Sequence, residues 1–248
     1  MKTRFFTLFL ALIASVGSIL AQNGTCGASL TWNLTNGVLT VSGTGDLYDY
    51  SLSSPQWTPY ESSINTVVID EGVTRIGACA FNYYTSLQNV TISNTVTSIG
   101  KGSFANTSIS SIDIPNSVKE IGNASFQSCE YLTSVTIGNS VTSISNYAFS
   151  GCNAIRSFTC KAVYPPVCYS FCFNGVNKSI PLYVPKESVD SYSKAEEWKE
   201  FYNIQAINAE AIDEIIANEE TTAKQIHNYQ ILIYRGGKTY AITGAEFK

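Results

Sequence analysis

The sequence predicts a mainly β solenoid, on three observations. Six apolar positions recur every 22 or 23 residues from residue 64 onward. The filler between them is Ser, Thr and Asn, not the A/E/K/L/R mixture of a helical bundle. Only 14% of the 248 residues are charged and 44% are hydrophobic, which leaves about 80 small or amide polar side chains. Disorder is excluded, because 12 Phe and 15 Tyr join many Ile and Val to supply a core. A formal net charge of −4 excludes the electrostatic footprint of a nucleic-acid binder. One histidine leaves little room for His-based catalysis or a His-rich metal site.

From the start of the chain, Lys2 and Arg4 form a short basic region ahead of a mostly apolar run from Phe5 to Ile19. That run has signal-peptide length, and Ser15, Gly17 and Ser18 break it as a membrane anchor. Ala21 supplies a small residue for cleavage, so residues 1–21 read as a signal peptide and 22–248 as the exported chain. Asn23-Gly24-Thr25 before Cys26 lacks the Leu of a lipoprotein signal. No later segment reaches membrane length, so no membrane-spanning segment is expected after cleavage.

The repeat begins with Ile64, Val67 and Ile69. It returns as Leu87, Val90, Ile92; Ile109, Ile112, Ile114; Leu132, Val135, Ile137; and Ile155, Phe158, Cys160. The first four units continue with Val73, Val96, Val118 and Val141, then Ile76, Ile99, Ile121 and Ile144, then Phe81, Phe104, Phe126 and Phe149. Each unit is a coil that cannot bury its own apolar residues, so coils must stack and the ends must be capped. At a strand spacing of about 4.8 Å, five to seven coils make a strip of roughly 25–35 Å.

The pattern I-x-x-V-x-I-x-x-x-V-x-x-I-x-x-x-x-F resembles the BspA-type leucine-rich repeats of bacterial surface proteins. One departure is plain: the Asn of the usual ladder is replaced by Gly72, Thr95, Ser117 and Ser140. Another device must therefore satisfy the backbone at that bend. The resemblance covers roughly residues 24–207. It implies an N-terminal β-hairpin cap, carried by Cys26 to Trp32 and Gly37 to Gly45, and closing coils at Tyr164-Pro165-Pro166 and Leu182 to Pro185. It also implies a terminal segment at Tyr192 and Trp198 to Ile204. The expected organisation is thus a leucine-rich repeat stack at 64–185, between an N-terminal β cap at 22–63 and a C-terminal cap at 186–208.

Beyond the cap, 209–229 reads as linker or helix. Residues 230–248 read as a β-hairpin around Gly236-Gly237, similar to the sorting segments of exported bacterial proteins or else simply packing on the cap. Within the strands the central residue points outward, with Val90 and Ile92 inward. The candidate binding face is therefore two columns: Thr66, Asn89, Ser111, Ser134, Ser157 and Val68, Thr91, Asp113, Thr136, Thr159. A second candidate is an aromatic platform of Tyr48, Tyr50, Trp57 and Tyr60, which alternatively plugs the open end of the core with Tyr83 and Tyr84.

Cys129, Cys152 and Cys160 take core slots, and Cys168 and Cys172 leave a disulfide with Cys160 open. No Cys spacing supports zinc, and no metal or cofactor is expected. His227 reads as a loop residue. Ser191-x-x-Lys194 lacks the companion motifs of penicillin-recognising enzymes. Asp46, Asp49 and Glu61 read as turn carboxylates, not a glycosidase pair. Gly43-Thr44-Gly45 lacks the third glycine of a nucleotide loop.

The resemblance implies display on a bacterial surface and binding to a protein, such as host matrix or another bacterial surface protein, without catalysis. The alternative is a secreted carbohydrate-binding or nutrient-capture accessory using the N-terminal aromatics.

Overall fold

The computed structural model describes residues 22–50 and 55–207, together with three strands between 224 and 241. The signal-peptide reading at 1–21, most of the linker reading and the last seven residues lie outside the described residues.

Three strands open the fold: β1 (Gln22–Thr25), β2 (Leu30–Thr35) and β3 (Val38–Gly43). They pair antiparallel as a meander. Asn36 and Gly37 both have positive φ, as a tight hairpin turn matching the strand twist requires. The meander feeds directly into the solenoid, because β3 lies parallel to the first repeat strand. After the short β4 (Gly45–Asp46), each coil contributes one long strand and one short one. These are β5 (Thr66–Ile69) with β6 (Val73–Ile76), β7 (Asn89–Ile92) with β8 (Ser98–Ile99), and β9 (Ser111–Ile114) with β10 (Glu120–Ile121). Then follow β11 (Ser134–Ile137) with β12 (Ser143–Ile144), and β13 (Ser157–Cys160) with β14 (Val167–Cys168). The last two, β15 (Pro181–Val184) and β16 (Asn203–Ala206), close the long-strand side.

The short strands form one continuous parallel sheet from β4 to β14. The long strands form two blocks, β3-β5-β7 and β9-β11-β13-β15-β16, with no ladder between β7 and β9. Two features of the sequence cause this break. The coil from Leu87 to Ile109 is a residue shorter than its neighbours, and Pro115, which has no N–H to give, follows β9.

Between the sheets the repeat phenylalanines stack. Successive centroids from Phe81 through Phe104, Phe126 and Phe149 are 5.2–5.5 Å apart, nearly parallel, and Phe173 extends the row at 6.1 Å. Trp57 closes the N-terminal end against Phe81 at 5.6 Å, and Trp198 closes the C-terminal end against Phe173 at 4.8 Å. Both of these indole N–H groups are satisfied, Trp57 donating to the Ala80 carbonyl and Trp198 to the Pro166 carbonyl, whereas the indole N–H of Trp32 in β2 is buried without a partner. An aromatic body with a polar tip therefore suits an end cap, since it covers apolar faces without stranding a donor.

The missing Asn ladder is replaced by hydroxyls reaching one coil back. The Thr95 hydroxyl donates to the Val73 carbonyl at 2.9 Å and accepts from the Gly72 N–H at 3.0 Å. Ser93 reaches the Asp70 carbonyl and Ser117 the Val96 carbonyl. Asn116 accepts from the Asn139 N–H. Ser and Thr thus do the work of a ladder at bends where the backbone leaves the sheet.

In the C-terminal cap a 3-10 turn, a single helical turn (Val189–Tyr192) and a second 3-10 turn lead into β16, which adds another row to the sheet. Two expectations are corrected. Residues 224–227, read as linker, form a strand β17 (Lys224–His227), so His227 ends a strand instead of lying in a loop. It pairs antiparallel with β18 (Gln230–Arg235), which in turn pairs with β19 (Lys238–Ala241).

Candidate binding face

The long strands carry the two outward columns, and the ladder registers align them. Thr66 sits opposite Asn89 and Val68 opposite Thr91. Ser111, Ser134 and Ser157 align in the second block, as do Asp113, Thr136 and Thr159. The columns are thus brought together, but as two panels rather than one strip. Asn89, Thr91, Ser111 and Asp113 are exposed, and the flanking residues are half-buried. Two positions depart from the sequence reading. Thr159 is buried, next to Tyr183 on the adjoining strand. Val90, expected inside, is only half-buried, on the strand that lacks a ladder to β9.

At that seam the surface dips into a shallow depression of about 260 Å³, lined by Val90, Thr91, Ile92, Asn94, Asp113 and Pro115. The seam holds the only formal charge of the two columns, Asp113. The periodicity hid it, because a one-residue contraction reads as noise in a 22- or 23-residue repeat. The proline after Ile114 was the visible signal. Sequence reasoning also missed three residues that extend the central column. Thr40 precedes it, opposite Val68, while Tyr183 and Gln205 follow it.

The N-terminal aromatics are placed otherwise than a platform requires. Trp57 is fully buried and Tyr50 nearly so, packed edge-on 5.5 Å apart. Tyr60 is half-buried and donates to the Gln22 side chain. Tyr84 is buried, with its hydroxyl beside that of Thr58, and burial pushes its phenol up to about 12. Only Tyr48 and Tyr83 stay exposed. The cluster is a plug, because the first coil has no preceding coil to cover Phe81.

Two of the carboxylates considered for catalysis, Asp46 and Asp49, are engaged structurally. Asp46 accepts from the Thr74 hydroxyl at 2.6 Å. Asp49 accepts from the Ala78 N–H and from Arg75, and the Ala78 bond first, then Arg75, holds its carboxyl below the usual range. Lys194 pairs with Asp190, not with Ser191. The seven cysteines are free. Cys129 and Cys152 donate to the Phe104 and Phe126 carbonyls. Burial raises the Cys26 thiol to about 12 and the Cys160 thiol to about 11. Among the described residues no group of three His, Cys, Asp or Glu is placed to hold a metal, and no helix is long and apolar enough to cross a membrane.

Compared with known proteins, residues 58–179 match the BspA type leucine rich repeat region in six copies. No curated protein is significantly similar to the chain. Among solved structures, a leucine-rich repeat protein from Eubacterium ventriosum is similar at TM-score 0.49 and 20% identity, over 77% of this chain and 60% of that one. A leucine-rich repeat protein from T. pallidum gives TM-score 0.45 and 18% identity, over 74% and 83%. The pneumococcal vaccine antigen PcpA gives 0.45 and 13%, over 68% and 51%. The chain therefore spans about half to four-fifths of the length of these proteins.

Proposed function

With residues 58–179 a BspA-type leucine-rich repeat region, we propose that the chain is exported and works at the bacterial cell surface as a protein-binding or adhesion module without catalysis. One observation carries this reading: the long-strand face presents amides and hydroxyls aligned in register within each of its two blocks, with the exposed Asn89, Thr91 and Ser111 flanking an open depression at the seam. A strip roughly 25–35 Å long has the scale of a standard protein interface, about 800 Å² on each partner. Its small uncharged side chains lose little rotamer freedom on docking and offer both donors and acceptors. The seam supplies a recess that a partner's side chain can enter.

The organisation that goes with this is a signal peptide at 1–21, a β cap at 22–63, the binding solenoid at 64–185, its closing cap at 186–208 and a C-terminal β segment serving export or sorting. A host matrix protein or another bacterial surface protein is the expected partner. Limited trypsin shaving of intact producing cells tests the placement. Release of solenoid peptides without cell lysis is the expected result. Recovery of the chain only from the cell interior after fractionation refutes it.

A further inference from the structure

The coil turns carry a feature that neither the core nor the binding face uses. Each of five coils has two residues in the left-handed backbone region, four positions apart: Cys79 and Tyr83, Gly102 and Asn106, Ala124 and Ser128, Tyr147 and Gly151, Phe171 and Gly175. Glycine adopts this conformation freely, whereas a bulky side chain there is strained. The second column begins with the exposed Tyr83, passes through Asn106 and Ser128, and ends in Gly151 and Gly175. The first does the reverse. After Gly102 and Ala124 it takes the bulkiest choices, Tyr147 at φ 60° and Phe171 at φ 61°.

These rings are not buried to compensate. Tyr147 is 39% exposed and Phe171 54%, while Phe149 and Phe173, two residues further on, fill the core. The two exposed rings stack on each other at 5.5 Å and 15°. Tyr169, also exposed, stands in register with Ser145, one residue beyond the last ladder pair of β12 and β14. On the next coil the row continues as Ala124, so the aromatic wall ends there in a step. The ground between is uncharged: Asn123, Asn146, Ser145 and Ser170. The Glu197 carboxylate accepts from the Phe171 N–H at 3.1 Å.

We infer that Tyr147, Tyr169 and Phe171 form a binding surface for a neutral polysaccharide, separate from the long-strand face. The C–H face of a pyranose ring is weakly positive and stacks on the negative face of an aromatic ring. Amides and hydroxyls beside the rings match the vicinal hydroxyls of the sugar, each able to donate and accept. The uncharged Ser145, Asn146 and Ser170 beside the rings favour an uncharged chain. Strain and exposure of two stacked rings, where sister coils carry Cys79, Gly102 and Ala124, are what binding explains and packing does not.

Affinity electrophoresis of the full chain tests this, in gels carrying xyloglucan, glycogen or mannan, with heparin as an acidic control. The expected result is retardation by at least one neutral polysaccharide and not by heparin. Tyr147→Gly with Phe171→Gly then weakens retention about tenfold or more, and Tyr169→Ser weakens it less. Tm in the glycine variant holds or rises, because the strain is relieved. Migration unaffected by every neutral polysaccharide overturns the inference, as does full retention in the glycine variant. A Tm loss of more than about 5 °C in that variant also overturns it, by showing the pair to be a structural stack. Loss of a captured protein in the variant, without any retardation by polysaccharide, assigns the surface to protein contact and overturns it equally.

Discussion

Phe149 and Tyr147 are two residues apart in one coil, and they teach opposite lessons. Phe149 is wholly buried, stacked between Phe126 and Phe173. Tyr147 stands outside in a strained backbone, stacked on Phe171. The inner row recurs in every coil because every coil needs its core filled. The outer pair occurs in only two coils, so the fold does not require it. Position within the coil, not aromatic character, decides which row holds the solenoid together.

Breaking the inner row has the largest effect. Phe126→Ala removes a ring from mid-stack and costs about 3–5 kcal/mol of stability, read by urea denaturation. Tyr147→Gly in the adjacent coil sharpens the contrast. Relief of left-handed strain, about 1–2 kcal/mol, offsets a lost ring contact of about 0.5–1.5 kcal/mol. Its midpoint stays within about 1 kcal/mol of the parent. Equal losses in the two variants erase the distinction.

The ends of the inner row come next. Trp57→Phe keeps the ring against Phe81 but leaves the buried Ala80 carbonyl without its indole donor, a loss of about 1–2 kcal/mol. Had Trp57 been part of an exposed platform, the substitution would leave thermal stability unchanged.

The inner row was legible in the sequence, since apolar residues at fixed spacing have one physical explanation, a stacked core. So were the two columns, because strand alternation follows from the repeat. The seam between β7 and β9 was not. It depends on one missing residue and one missing N–H, and neither disturbs the apolar pattern. Burial of Trp57 and Tyr50 was equally hidden, because a plug and a platform have the same composition and differ only in whether a coil end needs covering. The exposed pair escaped notice because the residue type at their position changes from coil to coil, through Cys79, Gly102, Ala124, Tyr147 and Phe171. Their left-handed backbone leaves no mark on residue type.

Two smaller effects sharpen the picture of the bends. Thr95→Val keeps the shape but strands the Gly72 N–H and the Val73 carbonyl, for a loss of about 1 kcal/mol in chemical denaturation. At Asp49 the effect is smaller still and depends on pH. Its carboxyl is held below the usual value of about 3.9, chiefly by the Ala78 N–H and then by Arg75. The depressed folded value means that its contribution is complete above the ordinary carboxylate range. It is lost as pH falls through the folded value. Asp49→Asn therefore lowers stability by less than about 1 kcal/mol at neutral pH, and the gap to the parent closes in acid. A gap that widens in acid contradicts this assignment.

The central claim is that the long-strand face binds a protein partner. The most direct measurement is capture of host-matrix and bacterial surface proteins by immobilised full chain, repeated with Thr91→Arg, with Thr136→Arg and with Thr142→Arg, which lies on an exposed bend off the columns. A long cation in either column blocks close approach, while Tm stays at the parent value. The account predicts that the partner is lost with the two column variants and kept with Thr142→Arg. A partner kept by both column variants, or lost equally with all three, contradicts it.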